Sequence, residues 1–144
     1  MVQATPFLLL LSLALLAPGL CMRKCVLTGD WKNDLGSNMT IETEDEDGKF
    51  TGSYNTSVSD TRNKIQPSPL VGFQHVVTES RQPTFGFTVQ WSFTDSITVF
   101  TGQCFVGEDG KEVLKTMWLL RSRVDSMKDD WKATRVGSDT FFRL

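Results

Sequence analysis

The sequence, 144 residues with a net charge of −2, predicts an all-β domain, a sandwich or barrel of eight short strands. Turn residues recur at short, regular intervals, as such folds require. No stretch sustains a helical period, and apolar residues instead alternate with polar ones along successive runs. In Thr84-Phe85-Gly86-Phe87-Thr88-Val89-Gln90-Trp91-Ser92-Phe93 every second side chain shares a face. That gathers Phe85, Phe87, Val89, Trp91 and Phe93 on one side. The length suits a single domain, and no linker or repeat divides it.

Residues 1–21 are set apart from that domain. The run Phe7-Leu8-Leu9-Leu10-Leu11-Ser12-Leu13-Ala14-Leu15-Leu16-Ala17 is apolar but too short to span a bilayer, and Pro18-Gly19 breaks it. It reads as a secretory signal peptide cut near Cys21/Met22, leaving 22–144 as the mature chain. The first strand centres near Trp31, with Asn33, Leu35 and Ser37 continuing its parity. The second centres near Thr40. Asp47-Gly48 marks a tight hairpin into the third, near Ser53, where Phe50, Tyr54, Thr56 and Val58 share one face. Lys49, Thr51, Ser53 and Asn55 take the other. The fourth centres near Phe73, the fifth on Val89, and the sixth near Gln103, with Thr98 and Phe100 of one parity. Asp109-Gly110 turns the chain into the seventh, near Trp118. There Leu114, Thr116, Trp118 and Leu120 share one side, and Val113, Met117 and Leu119 share the other with Lys115 and Arg121. If the first side lines the interior, the second is an exposed apolar patch, which Val136 of the eighth strand extends. Oligomerisation is the expectation; an apolar monomer surface is the alternative.

The inward faces carry more than filler. Rings alternate with hydroxyls and amides, and tryptophan and tyrosine bring polar atoms that need partners when buried. Such faces describe a cavity for something flat and polar. Of three cysteines, removal of Cys21 leaves Cys25 and Cys104, which in an oxidising compartment form a disulfide; two free thiols are the alternative. Basic residues are dispersed, which argues against nucleic acid, and nothing beyond the leader calls for a membrane. The single histidine, His75, has no serine or cysteine nucleophile at a recognisable spacing, so no enzyme is expected. No cysteine or histidine cluster suits a metal, and Glu44-Asp45-Glu46-Asp47-Gly48 lacks the spacing of a calcium loop; it reads as a solvated hairpin tip. Asn38-Met39-Thr40 and Asn55-Thr56-Ser57 are glycosylation sequons with outward asparagines.

Five blocks carry a resemblance: Leu27-Thr28-Gly29-Asp30-Trp31-Lys32-Asn33-Asp34-Leu35-Gly36-Ser37, Gln82 to Trp91, Thr101-Gly102-Gln103-Cys104, Met117-Trp118-Leu119-Leu120-Arg121, and Asp129-Asp130-Trp131-Lys132-Ala133-Thr134-Arg135. In order and spacing they resemble the avidin family across the whole mature chain. The resemblance implies an eight-stranded antiparallel up-and-down β-barrel, secreted, tetrameric, and binding biotin in its open end. It also implies roles. Asn33, Ser37 and Tyr54 would donate to the ureido oxygen, Asp139 would accept from one ureido N–H and Thr56 from the other. Trp91, Phe93, Phe100 and Trp118 would enclose the rings, with Leu35, Val58 and Leu120 of the same parity, and Thr98 would touch the sulfur. The carboxylate would meet Ser59, Asp60 and Thr61, with Thr94 and Ser96 opposite, and Trp131 would cap a neighbouring subunit's site. Family members commonly carry a small uncharged residue at Asp60, whose charge ~8 Å from a ligand carboxylate would repel it by about 0.5–2 kcal/mol. They often carry an apolar residue at Ser138, which predicts a looser assembly here. The rival is a lipocalin-like carrier of another small ligand, but its cavity would be more apolar than this inward set.

Overall fold

A computed structural model describes residues 23–76 and 79–144; the expected signal peptide and Cys21 lie outside the described residues. The strands are β1 (Gly29–Asn33), β2 (Asn38–Ile41), β3 (Lys49–Asn55), β4 (Ser68–Gln74), β5 (Thr84–Gln90), β6 (Ile97–Val106), β7 (Glu112–Arg121) and β8 (Thr134–Arg143). Each pairs antiparallel with its neighbour in sequence, and β1 pairs with β8, so the sheet closes into an up-and-down barrel. Closure leaves no free strand edge. Every expected strand centre falls inside an observed strand.

The third strand ends at Asn55, so Val58, 53% exposed, lies beyond it at the rim and not on an inward strand face. Two further expectations need correction. The first strand does not run on to Ser37. It ends at Asn33, whose Oδ1 accepts from the backbone N–H groups of Leu35 and Ser37 at 3.1 and 2.8 Å, a side-chain-capped turn of the kind asparagine favours. Gly36 sits in that turn at φ +88°, a conformation open to glycine. The turn buries Ser37 but leaves Leu35 55% exposed. Leu35 therefore belongs to the rim, not to an inward strand face. The second correction is a short 3-10 helix, Met127–Lys132, between β7 and β8, with the Ser126 side chain accepting from Lys128 N–H at its start. Six residues are too few for a helical period to announce itself.

One end of the barrel is plugged. Trp31, Ile41, Phe50, Leu114 and Phe141 fill it and are essentially inaccessible. The chain before β1 crosses this end, burying Cys25 and Leu27. Leu27 C=O accepts from Trp31 Nε1 at 2.7 Å. The Arg143 guanidinium lies 4.0 Å over the Trp31 ring and donates to Thr28 C=O at 2.6 Å and to Glu112 Oε2 at 3.0 Å. Cys25 and Cys104 form the expected disulfide, Cα atoms 5.8 Å apart. Bridging a loop of that length stabilises the fold by up to about 4–5 kcal/mol through the unfolded state. An eight-stranded barrel has room inside for side chains or one small ligand. Here side chains take one end and leave the other open.

The outer wall divides in two. Strand register aligns Val71, Thr88, Val99, Leu119 and Val136 in one row across β4 to β8, flanked by Phe73 and Met117; all are exposed. This uncharged row reaches further than the patch the sequence announced on β7 and β8, with Lys115 and Arg121 beyond it along β7. The outer face of β1 to β3 instead carries Asp30, Lys32, Asn38, Thr40, Lys49, Ser53 and Asn55.

Candidate functional site

The open end is a cavity of about 550 Å³. Its lining includes every ligand-contact residue expected from the sequence except Trp131. Trp131 stands on the 3-10 helix, 82% exposed, outside its own chain's cavity. The lining also includes Asp95, Ser122, Arg123 and Arg135, which sequence reasoning missed. Parity would have found two of them: Ser122 follows Leu120, and Arg135 shares a face with Asp139.

One side of the cavity is polar and ordered from below. The Asn33 carbonyl oxygen is consumed by its turn, which aims Nδ2 inward, 3.2 Å from Asp139 Oδ2 and 3.4 Å from the Tyr54 hydroxyl. Ser37 Oγ accepts from Ser57 N–H at 2.9 Å. Ser57 Oγ gives its own proton to Leu35 C=O at 2.7 Å and lies 3.2 Å from Ser37 Oγ, which holds the Ser37 hydroxyl at the cavity wall. Tyr54 stacks on Phe100 with centroids 5.6 Å apart and meets Trp91 edge-on at 5.4 Å. Burial, reinforced by Asp139, pushes its phenol well above the usual tyrosine range. The hydroxyl therefore keeps its proton and remains a donor. Asn33, Ser37 and Tyr54 thus bring three donor groups together on one wall, an arrangement suited to a carbonyl oxygen that gathers negative charge.

The opposing acceptors are equally fixed. Burial pushes Asp139 up from the ordinary aspartate range, while hydrogen bonds from Asn33 and Trp118 pull the other way and the Asp34 charge adds to the rise. Thr56 Oγ1 donates to Val58 C=O at 2.8 Å, which turns its remaining lone pair into an acceptor. Trp91 Nε1 donates to Thr98 Oγ1 at 2.8 Å, satisfying the indole and holding its ring against the wall. Trp118 lies across Gly137, its direct partner on β8. A Cβ at Gly137 would fall 2.2 Å from Trp118 Cζ2, so only glycine admits the indole there.

The mouth revises the expectation for Asp60. Its carboxylate is ion-paired with Arg135, and that hydrogen bond holds it below the ordinary aspartate range. The charge is therefore not a bare anion facing the cavity. Asn63 Nδ2 donates to Phe93 C=O at 2.8 Å, so the loop after β3 is braced on both sides of the opening. At the plugged end Cys25, Cys104 and Glu112 gather, but the sulfurs are bonded to each other and offer no thiolate to a metal.

The chain is similar to known proteins along its length. The model of the avidin family matches residues 21–144. The chain is 63% identical to avidin of Gallus gallus over 147 residues, covering 100% of this chain and 97% of that protein. It is 61% identical over 137 residues to avidin-related protein 4/5 of the same species, covering 95% and 90%. A solved structure of a biotin binding protein from chicken matches at TM-score 0.81 and 58% identity, over 85% of this chain and 98% of that one.

Proposed function

The chain belongs to the avidin family, and on that premise we propose that it binds biotin tightly and without covalent change, for sequestration or transport. The observation that carries this reading is the convergence of Asn33, Ser37 and Tyr54 opposite Asp139 and Thr56 in a cavity plugged below and ringed above. The ureido oxygen takes three donors and its two N–H groups meet the two acceptors. Trp91, Phe93, Phe100 and Trp118 enclose the fused rings, with Thr98 at the sulfur. The carboxylate meets the loop at Ser59, Asp60 and Thr61, with Thr94 and Ser96 across the mouth. Binding needs no proton transfer and no covalent step, so the role is a carrier's and not a catalyst's. Titration calorimetry of the folded protein should give about one biotin per subunit, retained on dilution. Absence of heat and retention would defeat the reading, and displacement by an apolar lipocalin ligand instead would favour the rival carrier.

The assembly is a homotetramer of secreted chains. Two features support it: the uncharged row from Val71 to Val136, which monomers seldom leave bare, and the exposed Trp131, an amphipathic ring with no place in its own cavity. Trp131 caps the site of a neighbour. The disulfide favours an oxidising destination. Dihedral tetramers need more than one self-complementary patch, and a face spanning β4 to β8 has the width for that.

A further inference from the structure

The charged half of the wall holds a pairing that sequence spacing hides. Asn38 on β2 and Asn55 on β3 are direct cross-strand partners, and both are exposed. Directly opposed side chains on a sheet stand about 4.5–5.5 Å apart at Cβ and leave it side by side. An N-acetylglucosamine ring with its acetamido arm is broader than that gap. Two glycans here would compete for one volume.

The hydroxyl that completes each sequon is committed in the folded chain. Thr40 Oγ1 donates to Asp30 Oδ1 at 2.6 Å, and Ser57 Oγ donates to Leu35 C=O while lying 3.2 Å from Ser37 Oγ. Glycan transfer needs the asparagine amide and the sequon hydroxyl free to approach one another, which favours attachment before β2 pairs with β3. The steric conflict then acts when the strands close.

We propose that Asn38 and Asn55 form one glycan site shared between two asparagines: the folded, secreted chain carries a single N-glycan, on one or the other. The donor class is an oligosaccharide linked to a lipid pyrophosphate. The asparagine amide nitrogen bonds to the sugar's anomeric carbon, the sugar–phosphate bond breaks, the lipid pyrophosphate leaves with the electron pair, and the amide gives up one proton. The inference rests on the secretion proposed above and is independent of the ligand. A glycan at this position stands on the half of the barrel away from the Val71–Val136 row and leaves that face clear.

The test expresses the full chain with its own leader in a mammalian secretory cell. Intact mass and glycopeptide mapping are read on the medium and on the retained intracellular pool, for the wild type, Asn38→Gln and Asn55→Gln. Gln suits the exposed positions, whereas Ser57→Ala would disturb Ser37 and the cavity with it. Both asparagines should be found modified in the secreted pool, with doubly modified chains several-fold rarer than the product of the two occupancies and enriched among retained chains. Asn38→Gln should raise occupancy at Asn55. A doubly modified fraction at or above the product overturns the proposal, as does an Asn55 bare of glycan in both the wild type and Asn38→Gln. A chain found only unmodified inside the cell sinks secretion and this proposal together, while biotin binding measured on the same samples reports separately on the cavity.

Discussion

Tyr54 is the only tyrosine of the chain, which makes its proton directly observable. Burial first, and then the Asp139 charge, raise its pKa, so the folded state favours the neutral phenol. The tyrosinate absorbance of the native protein should stay silent past pH ~10, where an unfolded tyrosine titrates. The sign follows: the unfolded chain loses this proton first, so stability declines as pH rises above that point. A native titration near pH ~10 would mean the hydroxyl is solvated, and with it the donor triad. At the mouth, Asp60 and Arg135 answer to one another. Exposed pairs couple by roughly 0.2–1 kcal/mol, so Arg135→Ala is expected to speed biotin release a few-fold at low salt by leaving Asp60 unpaired near the carboxylate. Asp60→Ala in that background should reverse the effect, high salt should mute it, and a biotin methyl ester should be indifferent. Equal release from wild type and Arg135→Ala at low salt would remove any role for the pair.

Among the elements, β7 and β8 bear the closest constraint. Their register sets Trp118 against Gly137, and the indole occupies the space of the missing Cβ. Gly137→Ala should displace the ring at an overpacking cost of about 1–3 kcal/mol. Because Trp118 walls the cavity, biotin affinity should fall along with the melting temperature. Unchanged values for both in thermal melts and calorimetry would show that the indole has another resting place. The turn after β1 acts in the same way on the polar side. Asn33 spends its carbonyl on two backbone N–H groups, so the amide nitrogen aims into the cavity without a choice of orientation.

For the whole molecule, the plugged end, the open end and the two-sided wall have separate tasks. Leu119 lies inside the apolar row, between Val99 and Val136, and faces outward. Leu119→Glu should leave the barrel folded by circular dichroism, since no interior contact is lost, yet yield monomers by light scattering. On the proposed capping by Trp131 of a neighbour, biotin should then leave faster. A wild-type protein that is monomeric at micromolar concentration would refute the assembly outright. Ser138, outward opposite Met117, places a hydroxyl in this face, so the assembly should loosen on heating more readily than one with an apolar side chain there.

Much of the barrel and most of its cavity were legible in the sequence because side-chain direction on a strand is a local property: alternation alone separates Phe50, Tyr54 and Thr56 from Lys49, Ser53 and Asn55. The same locality explains where the reading stopped. Leu35 followed the parity of Trp31 only until a turn intervened, and six helical residues were too short to show a period. The Asp60–Arg135 pair, Trp118 seated on Gly137, Arg143 over Trp31 and the Asn38–Asn55 couple all join residues distant in the chain. Strand register and closure decide those meetings, and register follows from how the inward faces pack around a shared axis. Residue order therefore determined which groups face the ligand; only the closed barrel decided which of them touch.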